Sequence, residues 1–301
     1  MTRRLAAEIG LLAGFTALAA FGGSASAQDA GERATMVLCG AEADGVRNFA
    51  VGSIERATTE AGLDLTVAVE PRAKVNLMKL ALGDCHAAIV QLDSLVLYKA
   101  EHMSGPLMIA APLYLFDRYL HLICRRETGI ETVEDLLRGP QRYEVLIGEA
   151  GSASEITWTT LTRLDMDYRR VETRQIGGLE ALAALTAGED ADCMVRMDGI
   201  GTAFMDQVEA AADRLRLVPI DLFKLRDAEM VANRVYRAVV IPPDTYVNLQ
   251  ADSVEPAIET IAVGIMLITD RSWARAYPAQ HEALIRAVTE ARQSLLDGTG
   301  S

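Results

Sequence analysis

The stretch LMKLALGDCHAAIVQLD at residues 77–93 recurs as LAALTAGEDADCMVRMD at residues 182–198. Leu77, Leu80, Gly83, Val90 and Asp93 stand where Leu182, Leu185, Gly188, Val195 and Asp198 stand in the second copy, at one constant spacing. Upstream, VLCG at 37–40 matches VLIG at 145–148. Each copy sets apolar residues at helical spacing, stops them with a glycine, and resumes with a short apolar run of strand character.

Working outward from the repeat, the first copy reads as a strand at 36–40, a helix at 48–61, a strand at 63–69, a helix at 74–82 and a strand at 87–92. The second runs 143–148, 154–164, 169–175, 179–187 and 192–197 in the same order. That is β-α-β-α-β twice. Short right-handed crossovers of this kind make parallel sheets with helices on both faces. The expected fold class is therefore α/β, with two Rossmann-like lobes and a hinge. Further strands are expected at 121–125, 215–220 and 258–268, a helix capped by Thr132, and a final amphipathic helix at 279–296. The expected division is lobe 1 at 28–118, lobe 2 at 119–238, and a return to lobe 1 with the C-terminal helix at 239–301. Two crossings between lobes make a hinge.

Residues 1–27 read as a cleaved signal peptide. Arg3 and Arg4 are followed by the apolar run Ile9 to Phe21 and the small-residue site Ala25-Ser26-Ala27. The run is too short to span a bilayer comfortably, so the expected location is the periplasm. With 42 acidic against 29 basic residues and a net charge of −13, no nucleic acid is expected as a partner. The four cysteines, Cys39, Cys85, Cys124 and Cys193, form neither a C-x-x-C pair nor a zinc pattern. The simplest expectation is small buried hydrophobes. Export would permit disulfides, and the sequence does not choose their ends.

Ligands of open parallel sheets bind beyond the carboxyl ends of the strands. This places a site on four loops: 40–48, 91–94, 148–155 and 196–199. The candidate contacts are Glu42, Arg47, Asn48, Gln91, Asp93, Ser152, Ser154, Glu155, Arg196 and Asp198. Gly151 to Ser154 opens a helix whose free N–H groups suit an anion. Arg47 and Arg196 are the cations in these loops; a guanidinium can grip a carboxylate, or pair with a nearby acid such as Asp198. The sequence has no H-E-x-x-H, no P-loop and no G-x-S-x-G. The four histidines form no metal spacing. The expectation is a non-enzyme without cofactor or metal.

Several segments resemble the TAXI class of solute receptors, which serve TRAP transporters and have the type II periplasmic-binding-protein fold. They are GIETVEDL (129–136), GEAGSASE (148–155), LVPID (217–221) and IPPDTY (241–246). The first loop departs from the family pattern, with Arg47, Asn48 and Phe49 near the place of its Thr-Tyr-Tyr. The resemblance implies a periplasmic receptor that hands a small organic solute, with carboxylate-bearing solutes among the candidates, to a TRAP-type permease; a monomer is expected. The alternative is a periplasmic sensory module signalling to a membrane partner.

Overall fold

The computed structural model describes residues 34–40, most of 52–59, 62–139 apart from Pro71 and 103–108, 142–188, 191–220, 235–251 and 257–298. The signal segment 1–27 and the loop bearing Glu42, Arg47 and Asn48 lie outside them.

The first repeat copy supplies β1 (Ala34–Gly40), β2 (Leu63–Val69), α1 (Ala73–Leu82), β3 (Ala87–Gln91) and α2 (Leu92–Glu101). After β4 (Ile109–Arg125) and α3 (Val133–Arg138) comes the second copy: β5 (Glu144–Leu146), α4 (Ala153–Leu164), β6 (Glu172–Arg174), α5 (Gly178–Ala187) and β7 (Cys193–Asp198). The chain closes with α6 (Ala203–Ala210), β8 (Leu215–Val218), β9 (Tyr236–Ile241), β10 (Ile258–Asp270), α7 (Arg271–Ala276) and α8 (Pro278–Gly298). Gly83 and Gly188, equivalent in the repeat, end their helices in the same left-handed conformation, φ 82° and 75°. That conformation favours glycine because no Cβ meets the preceding carbonyl. Thr132 caps α3 through a capping box with Asp135.

The strands form one sheet in the order β2-β1-β3-β10-β4-β7-β5-β6, with β8 joined to β4 and β9 to β10. β1, β2 and β3 run parallel in the first half, and β5, β6 and β7 in the second. The long strands β4 and β10 pair antiparallel and connect the halves. β10 pairs β9 from Ile258 to Val263 and β3 from Ile265 to Thr269. Its register against β4 shifts between Ile265 and Met266 and again between Leu267 and Thr269; such irregularities bend and twist a strand. Gly264 sits at the crossing because the Tyr114 ring lies 3.2 Å from where a Cβ would stand.

Each half buries both faces of its sheet. In the first, Met36, Leu38 and Leu267 meet Trp273, Leu284 and Val288, and Val90 and Ile268 meet Leu77, Leu80 and Tyr98. In the second, Leu122, Val145 and Val195 meet Trp158 and Leu161, while Ile123, Leu146 and Met194 meet Leu185, Phe204 and Val208. Each such large aliphatic or aromatic side chain contributes about 1.5–3 kcal/mol by leaving water. Ile241, Tyr246, Leu249 and Ile258 pack into this last cluster.

The cysteines are not unpaired hydrophobes, which corrects the simplest expectation. Cys39 pairs with Cys85 and Cys124 with Cys193, and all four are buried. Cys124 and Cys193 lie opposite each other in the antiparallel β4–β7 register, with Cα atoms 4.0 Å apart. Cys39, next to the end of β1, pairs with Cys85 in the turn that feeds β3, with 5.9 Å between Cα atoms. Among the described residues no helix is long and apolar enough to cross a membrane.

Candidate functional site

The parallel strands of both halves end at the seam between them, and the candidate side chains follow those ends. β3 passes directly into α2: Gln91 ends the strand and Asp93 lies in the first helical turn, where a loop is expected from the sequence. Leu92 and Val96 pack against the core cluster of the second half. Asp93 is therefore carried to the seam and fully buried.

The Asp93 carboxylate takes donors from both halves. Oδ1 accepts from the Ser94 backbone N–H at 2.6 Å, and Oδ2 from the Tyr236 hydroxyl at 2.7 Å and the Thr157 hydroxyl at 2.9 Å. Gln91 Nε2 donates to both carboxylate oxygens at 2.9 and 3.0 Å and to Thr157 Oγ1 at 3.0 Å. Burial pushes the Asp93 carboxyl above its ordinary pKa, against the pull of the Tyr236, Gln91 and Thr157 donors. Burial, reinforced by Asp93, raises the Tyr236 phenol. Gln91 Oε1 is buried without a hydrogen-bond partner. Thr157 and Tyr236 are missed by sequence reasoning: Thr157 lies inside a helix, just past the 148–155 loop, and Tyr236 is 143 residues from Asp93 and near no motif.

The loop opening α4 is built around Gly148. Its φ is +94°, and an added Cβ would lie 2.6 Å from Ser152 Oγ, so a side chain is excluded both by backbone and by space. Ser152 caps α4, accepting from Glu155 N–H at 3.3 Å. Ser154 Oγ accepts from Met197 N–H at 3.0 Å and ties the helix start to β7. Glu155 turns back on its own loop, with Oε2 accepting from Gly151 N–H at 3.3 Å and Oε1 from Thr159 at 2.9 Å. Two of the N–H groups at this N-terminus thus already hold oxygens of the chain.

Arg196 forms the intramolecular pair. Its Nε donates to Asp198 Oδ2 at 3.0 Å, and its guanidinium lies 4.2 Å from the Phe204 ring centroid. Strand alternation explains this: Val195 and Met197 face α4, and Arg196 faces α6. Asp198, buried, also accepts from Gly199 N–H at 2.8 Å. Behind this pair His121 is a satisfied core residue. Its Nδ1 meets the Tyr119 carbonyl at 3.0 Å and its Nε2 the Tyr246 hydroxyl at 3.1 Å. The partners assign the proton to Nδ1, with Tyr246 donating to Nε2. Burial lowers the imidazole to about 4, opposed by Asp198.

Arg72, just after β2, is a seam cation that the four-loop expectation leaves out. Its Cβ lies 3.7 Å from the position a Cβ would take on Gly151. It holds Glu70 bidentately, at 2.7 and 3.1 Å, and that contact lowers the Glu70 carboxyl. The available signal was positional, since β2 is also a parallel strand ending at the seam. The structure thus brings together Gln91, Asp93, Thr157 and Tyr236 on one side and Ser152, Ser154 and Glu155 on another, with Arg196 and Asp198 paired at the end of β7.

No protein-family model matches the chain, and no curated protein matches it by sequence. Solved structures match it in fold. The substrate-binding protein of an amino acid ABC transporter from Streptococcus pneumoniae, bound to L-arginine, aligns with a TM-score of 0.51 at 10% identity, covering 86% of this chain and 90% of its own. The alkanesulfonate-binding protein from Xanthomonas axonopodis pv. citri, bound to MOPS, gives 0.51 at 14% identity over 87% and 74%. The AvGluR1 ligand-binding domain in complex with glutamate gives 0.53 at 15% identity over 88% and 92%. Together with the single sheet whose two parallel parts are joined through β4 and β10, these matches give the chain the type II periplasmic-binding-protein fold.

Proposed function

We propose that the protein is an exported, non-enzymatic receptor that captures a small organic solute between its two halves and delivers it to a TRAP-type membrane permease. The observation that carries the reading is the meeting of the halves just past the carboxyl ends of parallel strands. There Arg72, after β2, reaches the Gly151 loop that opens α4, and Gln91 ends β3 with its buried Oε1 unpartnered. The TAXI resemblance supports the permease, and the segment 1–27 supports export. Solved proteins of the same fold bind arginine, glutamate and MOPS. In this reading the return to the first half, expected from the sequence at 239, is drawn later, in β10 near Ala262 to Ile265, because Ile241, Tyr246, Leu249 and Ile258 pack with the second half. The outward crossing, expected at 118–119, runs through β4. The solute is met by Glu42, Arg47, Asn48, Arg72 and Gln91 from the first half. Ser152, Ser154, Glu155, Arg196 and Asp198 meet it from the second.

A thermal-shift screen of the mature protein against amino acids, carboxylates, sulfonates and amines tests this. A true ligand at a hundredfold excess over its Kd stabilises the folded state by about 2.7 kcal/mol. No hit across these classes sinks the receptor reading; a hit that is chemically turned over sinks the non-enzyme part. N-terminal sequencing of the secreted protein checks for a start at Gln28.

A further inference from the structure

We infer that Asp93, Thr157 and Tyr236 form a latch that fastens the two halves together without solute, so that they set solute affinity by positioning the halves rather than by touching the ligand. Asp93 lies in the first turn of α2 of the first half, Thr157 lies in α4 of the second, and Tyr236 begins β9, which pairs with the second-half end of β10. Their side chains are 0%, 0% and 1% exposed, so they meet at a dry seam. Among the described residues no cation lies within the hydrogen-bond shell of the Asp93 carboxylate. Its oxygens are taken up by protein donors: Ser94 and Gln91 from its own half, Thr157 and Tyr236 from the other.

A carboxylate satisfied in this way has little acceptor capacity left for a solute, but parting the halves removes the Thr157 and Tyr236 donors together. Leu92 and Val96 make the same crossing in apolar form, against the cluster that holds Trp158, Val195 and Tyr236. Opening the seam therefore exposes apolar surface and exchanges the Thr157 and Tyr236 hydrogen bonds for water in one motion, which makes it a two-state element rather than a gradual one. A solute that binds the closed arrangement then works with a closed population already present. Its apparent affinity scales with that population.

The latch gives the proposed receptor its closed state, but its test uses no solute, so the two can fail separately. Solution X-ray scattering and amide hydrogen exchange are measured on the unliganded mature protein and on Thr157→Val, Thr157→Ser and Tyr236→Phe. Thr157→Val and Tyr236→Phe should raise the radius of gyration. They should also speed exchange at the starts of α2 and α4 by about tenfold or more while β3, β5 and β7 stay protected. Thr157→Ser, which keeps the hydroxyl, should restore both readings. Should Tyr236→Phe lose its native circular dichroism, the Val and Ser variants at Thr157 decide alone. Wild-type dimensions and seam protection in Thr157→Val, with or without a lower melting temperature, overturn the latch and leave the cluster a structural one.

Discussion

The Tyr236 hydroxyl donates to Asp93 Oδ2 at 2.7 Å across 143 residues of chain, the bond of longest sequence reach in the seam cluster. Both groups are out of water, so neither can replace the other with solvent. Tyr236→Phe should lower unfolding free energy by about 1–3 kcal/mol, and Asp93→Ala by more, because it strands the Thr157, Gln91 and Tyr236 donors at once. Urea melts at neutral pH, with unchanged m-values, check this.

His121 predicts an acid sensitivity. Its folded pKa of about 4 lies below the ordinary 6.5, so between those values the unfolded chain binds more protons than the folded one. Its contribution is complete above about pH 6.5 and is lost as the pH falls toward 4, at a cost of about 3 kcal/mol. Asp93 acts with the opposite sign, since its raised carboxyl favours the folded state as protons are added. Comparing chemical melts at several pH values for wild type and His121→Gln isolates the histidine; an unchanged slope in the variant refutes the assignment.

The Arg196–Asp198 pair predicts that Arg196→Ala melts early even without a ligand. Asp198 is 1% exposed, and removing its guanidinium leaves a buried acid uncompensated at a cost of about 3 kcal/mol. A double-mutant cycle with Asp198→Asn measures the coupling. Stability equal to wild type in Arg196→Ala would return the residue to a purely solute-facing role.

The repeat was legible because its marks are local. Leu77, Leu80 and Gly83 announce a buried helix and its end within seven residues, as do Leu182, Leu185 and Gly188, and the structure buries those leucines and turns both glycines left-handed. Asp93 and Asp198 could be singled out for the same reason. Helix α2 was not legible: Gln91, Asp93 and Ser94 interrupt the apolar pattern and read as a loop, and no glycine or proline marks the direct passage from strand to helix. What Asp93 meets was also hidden, because hydroxyls on Thr157 and Tyr236 arrive by tertiary folding and leave no periodic trace. The pairing of the cysteines was hidden likewise, since spacing along the chain says nothing of register across a sheet.

Both disulfides should be present in the protein as secreted. Thiol titration of the denatured, unreduced chain should find none free among the four cysteines. Replacing Cys124 and Cys193 together by serine should cost about 2–5 kcal/mol, and the Cys39–Cys85 pair a similar amount.

Those crosslinks also fix the mechanics of the molecule. Cys39–Cys85 lies wholly within the first half and Cys124–Cys193 wholly within the second. Oxidation therefore stiffens two plates; Cys124 anchors only the second-half end of β4, and neither crosslink spans the ribbon of β4 and β10 where it crosses between them. A reducing environment would soften the plates without loosening the joint. A pulling force applied across the seam would meet no covalent resistance until that ribbon was drawn taut.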